Sequence, residues 1–145
     1  MAAGPGLSLK GRALRLLAQR EHSRAELVRK LTPHAPEPAA LEQVLDDLQS
    51  KGWLDEQRVI DSVIHQRASL WGAARLKQAL QSKGLEDQAI AHALASLRGS
   101  ELERAQTVWQ RKFGAKATDA KERARQGRFL LSRGFAPEVV HQVLK

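Results

Sequence analysis

Lys121, Arg125 and Arg128 stand at i, i+4 and i+7 in "DAKERARQGRFLLSRGF", a spacing that sets three cations on one face of a helix. Like charges held that close repel unless an anion offsets them, so the strip is a candidate contact for phosphates or carboxylates. A solvated cationic face is the competing reading. Ala124, Gly127 and Leu131 are expected on the packing side of the same helix. Arg75 falls fifty positions before Arg125, Lys77 follows it, and Arg29 and Lys30 sit near the end of "SRAELVRKL". The candidate partner-binding set, chosen from helix faces, is therefore Arg29, Lys30, Arg75, Lys77, Lys121, Arg125 and Arg128. Lys83 and Arg133 are also fifty apart, but each sits in a last helical turn, where a cation complements the helix dipole.

Catalytic chemistry needs a constellation, and the spacing offers none. The five histidines, His22, His34, His65, His92 and His141, are scattered, with no H-E-x-x-H pair and no phosphate-binding G-x-x-x-x-G-K-[ST] loop. His92 and His141 are expected at the surface. Glu42, Asp46 and Asp47 cluster in one segment but read as a solvated acidic face. With no cysteine there is no disulfide frame, no zinc-thiolate site and no thiol nucleophile. The expectation is a protein without catalytic residues, cofactor or metal. Exposed aromatics among cations can stack single-stranded bases, which draws attention to Trp53, Trp71 and Trp109. Trp109 lies on an apolar stripe and Trp53 follows Gly52, so both are read as core; Trp71, in "SLWGAARL", is left open.

A net charge of +8 and an isoelectric point near 10.4 favour a polyanionic partner, either nucleic acid or an acidic protein surface. Residues 100–145 hold ten Lys and Arg against five Asp and Glu, so the excess leans to the C-terminal third. The opening "MAAGPGLSLKG" has no apolar stretch of the kind a signal peptide needs, and no long uncharged apolar run occurs elsewhere. A cytoplasmic protein, monomeric by default, is expected, with residues 1–8 as a disordered tail.

The elements that carry these residues are helices. Apolar content of 42% and charged content of 28% suit a folded chain, while 4% aromatics and no tyrosine leave little for a β-sandwich. "KGLEDQAIAHAL" and "RGFAPEVVHQVL" repeat one pattern at a spacing of fifty: Leu80 with Leu130, Gly84 with Gly134, Ile90 with Val140, Leu94 with Leu144. Each reads as a helix stopped by a glycine at positive φ, an apolar residue folding back, and a new amphipathic helix. A weaker copy, "SRAELVRKL", aligns Leu27 with Leu76 and Leu31 with Leu80. Its later helix places Leu41, Val44, Leu45 and Leu48 on one face. Ser23 with Glu26 forms a capping box, and Asp119 with Glu122 offers another.

Each copy also has a first helix, near 9–21, 55–69 and 100–114. In the last of these Leu102, Ala105, Trp109 and Phe113 form the buried stripe, with Arg104 and Arg111 pointing elsewhere. The fold class is all-α: three tandem three-helix repeats, over 9–53, 54–98 and 99–145, stacked into an elongated array because none can bury its apolar faces alone. A helical bundle whose segments merely share helix grammar is the alternative.

"LRLLAQREHSRAELVRKL", then "GWLDEQRVIDSVIHQRASLWGAARLKQALQSKGL", then "GRFLLSRGF" together resemble the RecX family of bacterial recombinase regulators over residues 9–145. The resemblance implies a curved helical array that lies in the deep groove of a RecA filament on DNA, bridges protomers, and suppresses ATP hydrolysis, filament extension and strand exchange. It implies no catalytic residues. Two positions depart from the pattern: Val59 follows Arg58 where members commonly carry an aromatic, and "RASLWGAAR" is less basic than the usual loop. Asp55 in "LDEQR" is read as a helix N-cap. Two other functions remain open, a sequence-independent DNA-binding protein acting through helix-turn-helix-like units, and an adaptor for an acidic helix on another protein.

Overall fold

A computed structural model describes residues 6–145. The expected tail over 1–8 falls largely outside the described residues, and Ser8 caps the first helix by accepting from the Gly11 N–H. The helices are α1 Leu9–Gln19, α2 Arg24–Leu31, α3 Pro38–Ser50, α4 Glu56–Arg67, α5 Ala73–Ser82, α6 Asp87–Ala95, α7 Glu101–Lys112, α8 Ala120–Ser132 and α9 Pro137–Leu144. Short 3₁₀ turns follow α2 (Thr32–His34) and precede α7 (Arg98–Ser100). No strand occurs among the described residues, and no helix there is long and apolar enough to cross a membrane. The fold is all-α.

Local chemistry sets the boundaries. Ser23 and Glu26 form the reciprocal capping box at the start of α2. Asp119 accepts from the Glu122 N–H, but Glu122 turns to Arg125 instead of closing a second box. Asp55 Oδ1 accepts from the Gln57 and Arg58 N–H groups, making it the N-cap of α4. Pro38 and Pro137 occupy first helical positions, where a missing donor costs nothing. At the end of α8 the Gly134 N–H bonds the Leu131 carbonyl and the Phe135 N–H bonds the Leu130 carbonyl, a Schellman closure with Gly134 at φ 91°. Phe135 folds back into the core, as the repeat pattern requires.

The chain divides into two compact units. One comprises residues up to Val59 together with Lys83–Leu85. Its core is Ala13 from α1, Leu27 and Leu31 from α2, Leu41, Leu45 and Leu48 from α3, and Leu54. The other comprises Ile60–Ser82 and Glu86–Lys145. There Ala105 and Val108 of α7, Leu130 of α8, Phe135, and Val140 and Val143 of α9 form one cluster. In the same unit α5 packs on α6.

Three expectations about packing need correction. Trp53 is 58% exposed, because the next residue, Leu54, turns inward and fills the space behind α3. On α8 the buried residues are Gln126, Gly127 and Leu130, while Ala124 is exposed and Leu131 is 47% exposed. Gln126 is drawn in by two bonds, accepting from Trp109 Nε1 at 2.9 Å and donating to the Ala115 carbonyl at 3.2 Å, which rotates Leu131 outward. Arg104 does not point away from the core: it lies half-buried and donates to the carbonyls of Ala68 at 2.7 Å and Trp71 at 2.6 Å.

Candidate functional site

The seven candidate cations fall into two groups by what surrounds them. Arg29, Lys77, Lys121 and Arg128 are exposed, and none has a side-chain partner among the described residues. Arg75 and Arg125 are already engaged. Arg75 donates to the Ser132 carbonyl at 3.1 Å and lies 4.6 Å from the Trp71 ring centroid, with Arg67 5.1 Å from the same ring. Arg125 grips Glu122 through two bonds of 2.8 and 2.7 Å and stands 5.1 Å from the Phe113 ring centroid. The two-point bond raises the Arg125 pKa and lowers that of Glu122. Lys121 and Arg128 are therefore the unmatched part of the α8 strip.

Lys30 is held from behind. Its ammonium is 3.1 Å from Nε2 of His22, a ring that is 1% exposed. His22 Nδ1 lies 3.0 Å from the Arg20 carbonyl, which can only accept, so Nδ1 carries the proton and Nε2 accepts from Lys30. Burial lowers the His22 pKa, and the charges of Arg20 and Lys30 add to it against the pull of the Arg20 carbonyl and Glu26. A neutral histidine thus fixes where the Lys30 charge stands. Arg29 and Lys30 belong to the first unit, and the other five candidates to the second.

Several residues that build these surfaces escape a reading of faces and spacing. Glu56, the first residue of α4, accepts from the Arg24 N–H at the start of α2 at 3.2 Å. Glu101, the first residue of α7, accepts from the Ala73 N–H at the start of α5 at 2.7 Å. Each carboxylate satisfies a helix-start donor and complements the positive helix end. The signal was present as a glutamate opening two equivalent helices. The partner helix starts could not be inferred from it.

The glycines after α5 and α8 play matching parts. A Cβ on Gly84 would stand 2.5 Å from that of Ala25, and the Ser23 hydroxyl donates to the Lys83 carbonyl. In the second unit the Gly72 N–H bonds the Arg133 carbonyl at 2.8 Å and the Ala74 N–H bonds the Gly134 carbonyl at 3.1 Å. The repeated sequence therefore encodes a repeated contact, a glycine-ended helix set against the start of an earlier one.

This geometry defines a helical-repeat protein assembled from successive three-helix modules, with unmatched cations on later helices. Family models agree module by module. The RecX first three-helix domain matches residues 10–48, the second 55–94 and the third 100–144. The chain belongs to the RecX family. It is 58% identical to the regulatory protein RecX of Leptothrix cholodnii over 97% of this chain and 90% of that protein. To the regulatory protein RecX of Ralstonia nicotianae it is 48% identical over 96% and 87%. The same fold occurs in the crystal structure of RecX from Lactobacillus salivarius, with a TM-score of 0.80 at 17% identity over 94% of this chain and 92% of that one. A second RecX crystal structure gives a TM-score of 0.76 at 18% identity over 99% and 82%.

Proposed function

We propose that this chain is a non-enzymatic cytoplasmic regulator that binds the RecA–DNA filament in its helical groove and inhibits ATP hydrolysis, filament extension and strand exchange. The observation that carries the reading is the match of all three RecX domains in order along one chain. The net charge of +8 suits a groove lined by nucleic acid and acidic protein surface. Of the candidate set, Arg29, Lys77, Lys121 and Arg128 make the contacts, because their charges are unmatched among the described residues.

ATP hydrolysis by RecA on single-stranded DNA, measured while this protein is added well below the RecA concentration, tests the reading. Loss of hydrolysis at a small fraction of RecA supports a filament regulator, since one molecule then disturbs many protomers. Loss only when the protein suffices to coat the DNA overturns it in favour of competition for phosphates, the behaviour of a sequence-independent DNA binder.

A further inference from the structure

We propose that the first unit carries a phosphate-binding recess between α1, the end of α2 and the 3₁₀ turn that follows it. Arg12, Arg15 and Leu16 line one wall at i, i+3 and i+4 on α1, and Lys30, Leu31 and His34 line the other. Gln19 adds an uncharged donor at the rim, and no carboxylate lines the space among the described residues.

The pairing of charges in the rest of this unit makes the recess unusual. Arg24 is matched by Glu42 and Asp46, Arg20 and Lys83 by Glu26, Arg58 by Glu21 and Asp55, and Lys10 and Lys51 by Asp47. Among the described residues of this unit, only the exposed Arg29 and the cations of the recess are left without an acidic partner. Arg12 is half-buried, yet neither it nor Arg15 nor His34 has a side-chain hydrogen bond or ion pair among the described residues. A cation turned toward an apolar wall without a counter-ion is costly, and a bound anion removes that cost. Lys30 is positioned by His22, which uses one of its three N–H donors and leaves two for a ligand.

Phosphate is the anion that fits. Arginine presents a planar fork that matches two phosphate oxygens, and two arginines with a lysine supply enough charge for one phosphodiester group. The recess measures about 190 Å³. That is below the roughly 300–1,000 Å³ of pockets that enclose a whole drug-sized ligand, so it takes a group and not a molecule. The phosphate belongs either to a nucleic-acid strand or to a free nucleotide. Such a site deepens the filament reading by naming a surface that holds its DNA, and rests on that reading only for the choice of strand.

Resonances of the full chain are followed while inorganic phosphate, thymidine monophosphate and an oligothymidylate are added separately. Shifts at the Arg12 and Arg15 side chains and at the Leu31 and His34 amides are expected. In parallel, oligothymidylate affinity is measured across salt for the wild type, Arg12→Ala/Arg15→Ala and Arg15→Glu. The double variant should shrink the salt slope by about 0.7, the value for one single-strand phosphate contact. Arg15→Glu, at an exposed position where folding is not at stake, should weaken binding about tenfold at low salt.

Shifts confined to other residues, or an Arg15→Glu variant with unchanged affinity and slope, would overturn the site. Saturation by phosphate and thymidine monophosphate without oligothymidylate assigns it to a free nucleotide; stronger oligothymidylate binding with a steep slope assigns it to a strand. If wild type fails to inhibit RecA while Arg15→Glu loses oligothymidylate, the filament reading falls and the recess stands. Inhibition of RecA by wild type with unaltered Arg15→Glu binding has the opposite meaning.

Discussion

Gly134 lies so close to Arg75 that a Cβ on the glycine would come within 2.4 Å of the Arg75 backbone nitrogen. The glycine also has φ 91°, so it ends α8 and admits α5 at once. Gly52 has a similar φ of 82° with nothing within 4 Å of a Cβ, which isolates the backbone cost. Gly52→Ala should therefore lose about 1 kcal/mol of stability from left-handed strain alone. Gly134→Ala should lose roughly 3 kcal/mol or more, because two backbones must part as well. Urea unfolding of both variants measures the difference. Equal losses would mean that the α8–α5 contact yields freely.

Glu26 gives the first unit an acid-sensitive joint. Burial resists its charge, but bonds from the Arg20 guanidinium and the Ser23 N–H, with Lys83 nearby, prevail and lower its pKa to about 2. A depressed carboxylate pKa contributes stability that is fully present above about 4.5 and is lost as pH falls toward 2. The full shift corresponds to about 3 kcal/mol. Glu26→Gln should be destabilised by an amount of that order at pH 7 and converge on the wild type near pH 2. A gap that persists undiminished at low pH would show that shape, not charge, carries the effect.

Helix identity, the capping box at Ser23 and the glycine stops were legible because each is a local rule written in adjacent residues. The inward turn of Leu54 in place of Trp53 was not, since both are apolar and both follow a glycine stop. Which one is buried depends on where α1 and α2 leave space. The place of Arg104 is illegible for a similar reason: its spacing on α7 is polar, but the carbonyls of Ala68 and Trp71 come from a distant segment and draw it in. Among the candidate cations, sequence supplied the charge and the helix face but not the internal partners, which divide Arg75 and Arg125 from Lys77, Lys121 and Arg128.

Arg104 links α7 to the turn between α4 and α5. Its guanidinium bonds two carbonyls and its Nε donates to the Ser100 hydroxyl at 3.0 Å. Burial lowers its pKa, against the pull of Glu101. Both carbonyl bonds come from the single nitrogen Nη1 while Nε holds Ser100, so a lysine ammonium that keeps the charge cannot serve both places, and Arg104→Lys should cost about 1 kcal/mol or more through loss of one of these anchors. Hydrogen exchange read at residues 68–72 checks this, with faster exchange there expected ahead of α9. Unchanged protection would show the turn to be held by its backbone alone.

The α8 strip holds a matched charge and a free one only three residues of helix apart. Arg128 has no side-chain partner among the described residues, while Glu122 holds Arg125 at 2.7 Å in an ion pair exposed to solvent. A matched cation offers an incoming phosphate less net attraction, and breaking its pair offsets part of any gain. If the strip touches the filament, Arg128→Glu should raise the protein concentration needed to halve RecA hydrolysis about tenfold, and Lys121→Glu similarly. Arg125→Ala should change it by about threefold or less. A larger loss at Arg125 than at Arg128 would place the contact over Phe113, on the side of α8 where Arg125 stacks. Wild-type inhibition in all three would remove the strip from the interface and leave Arg29 and Lys77 as the unmatched members of the candidate set still to be tested.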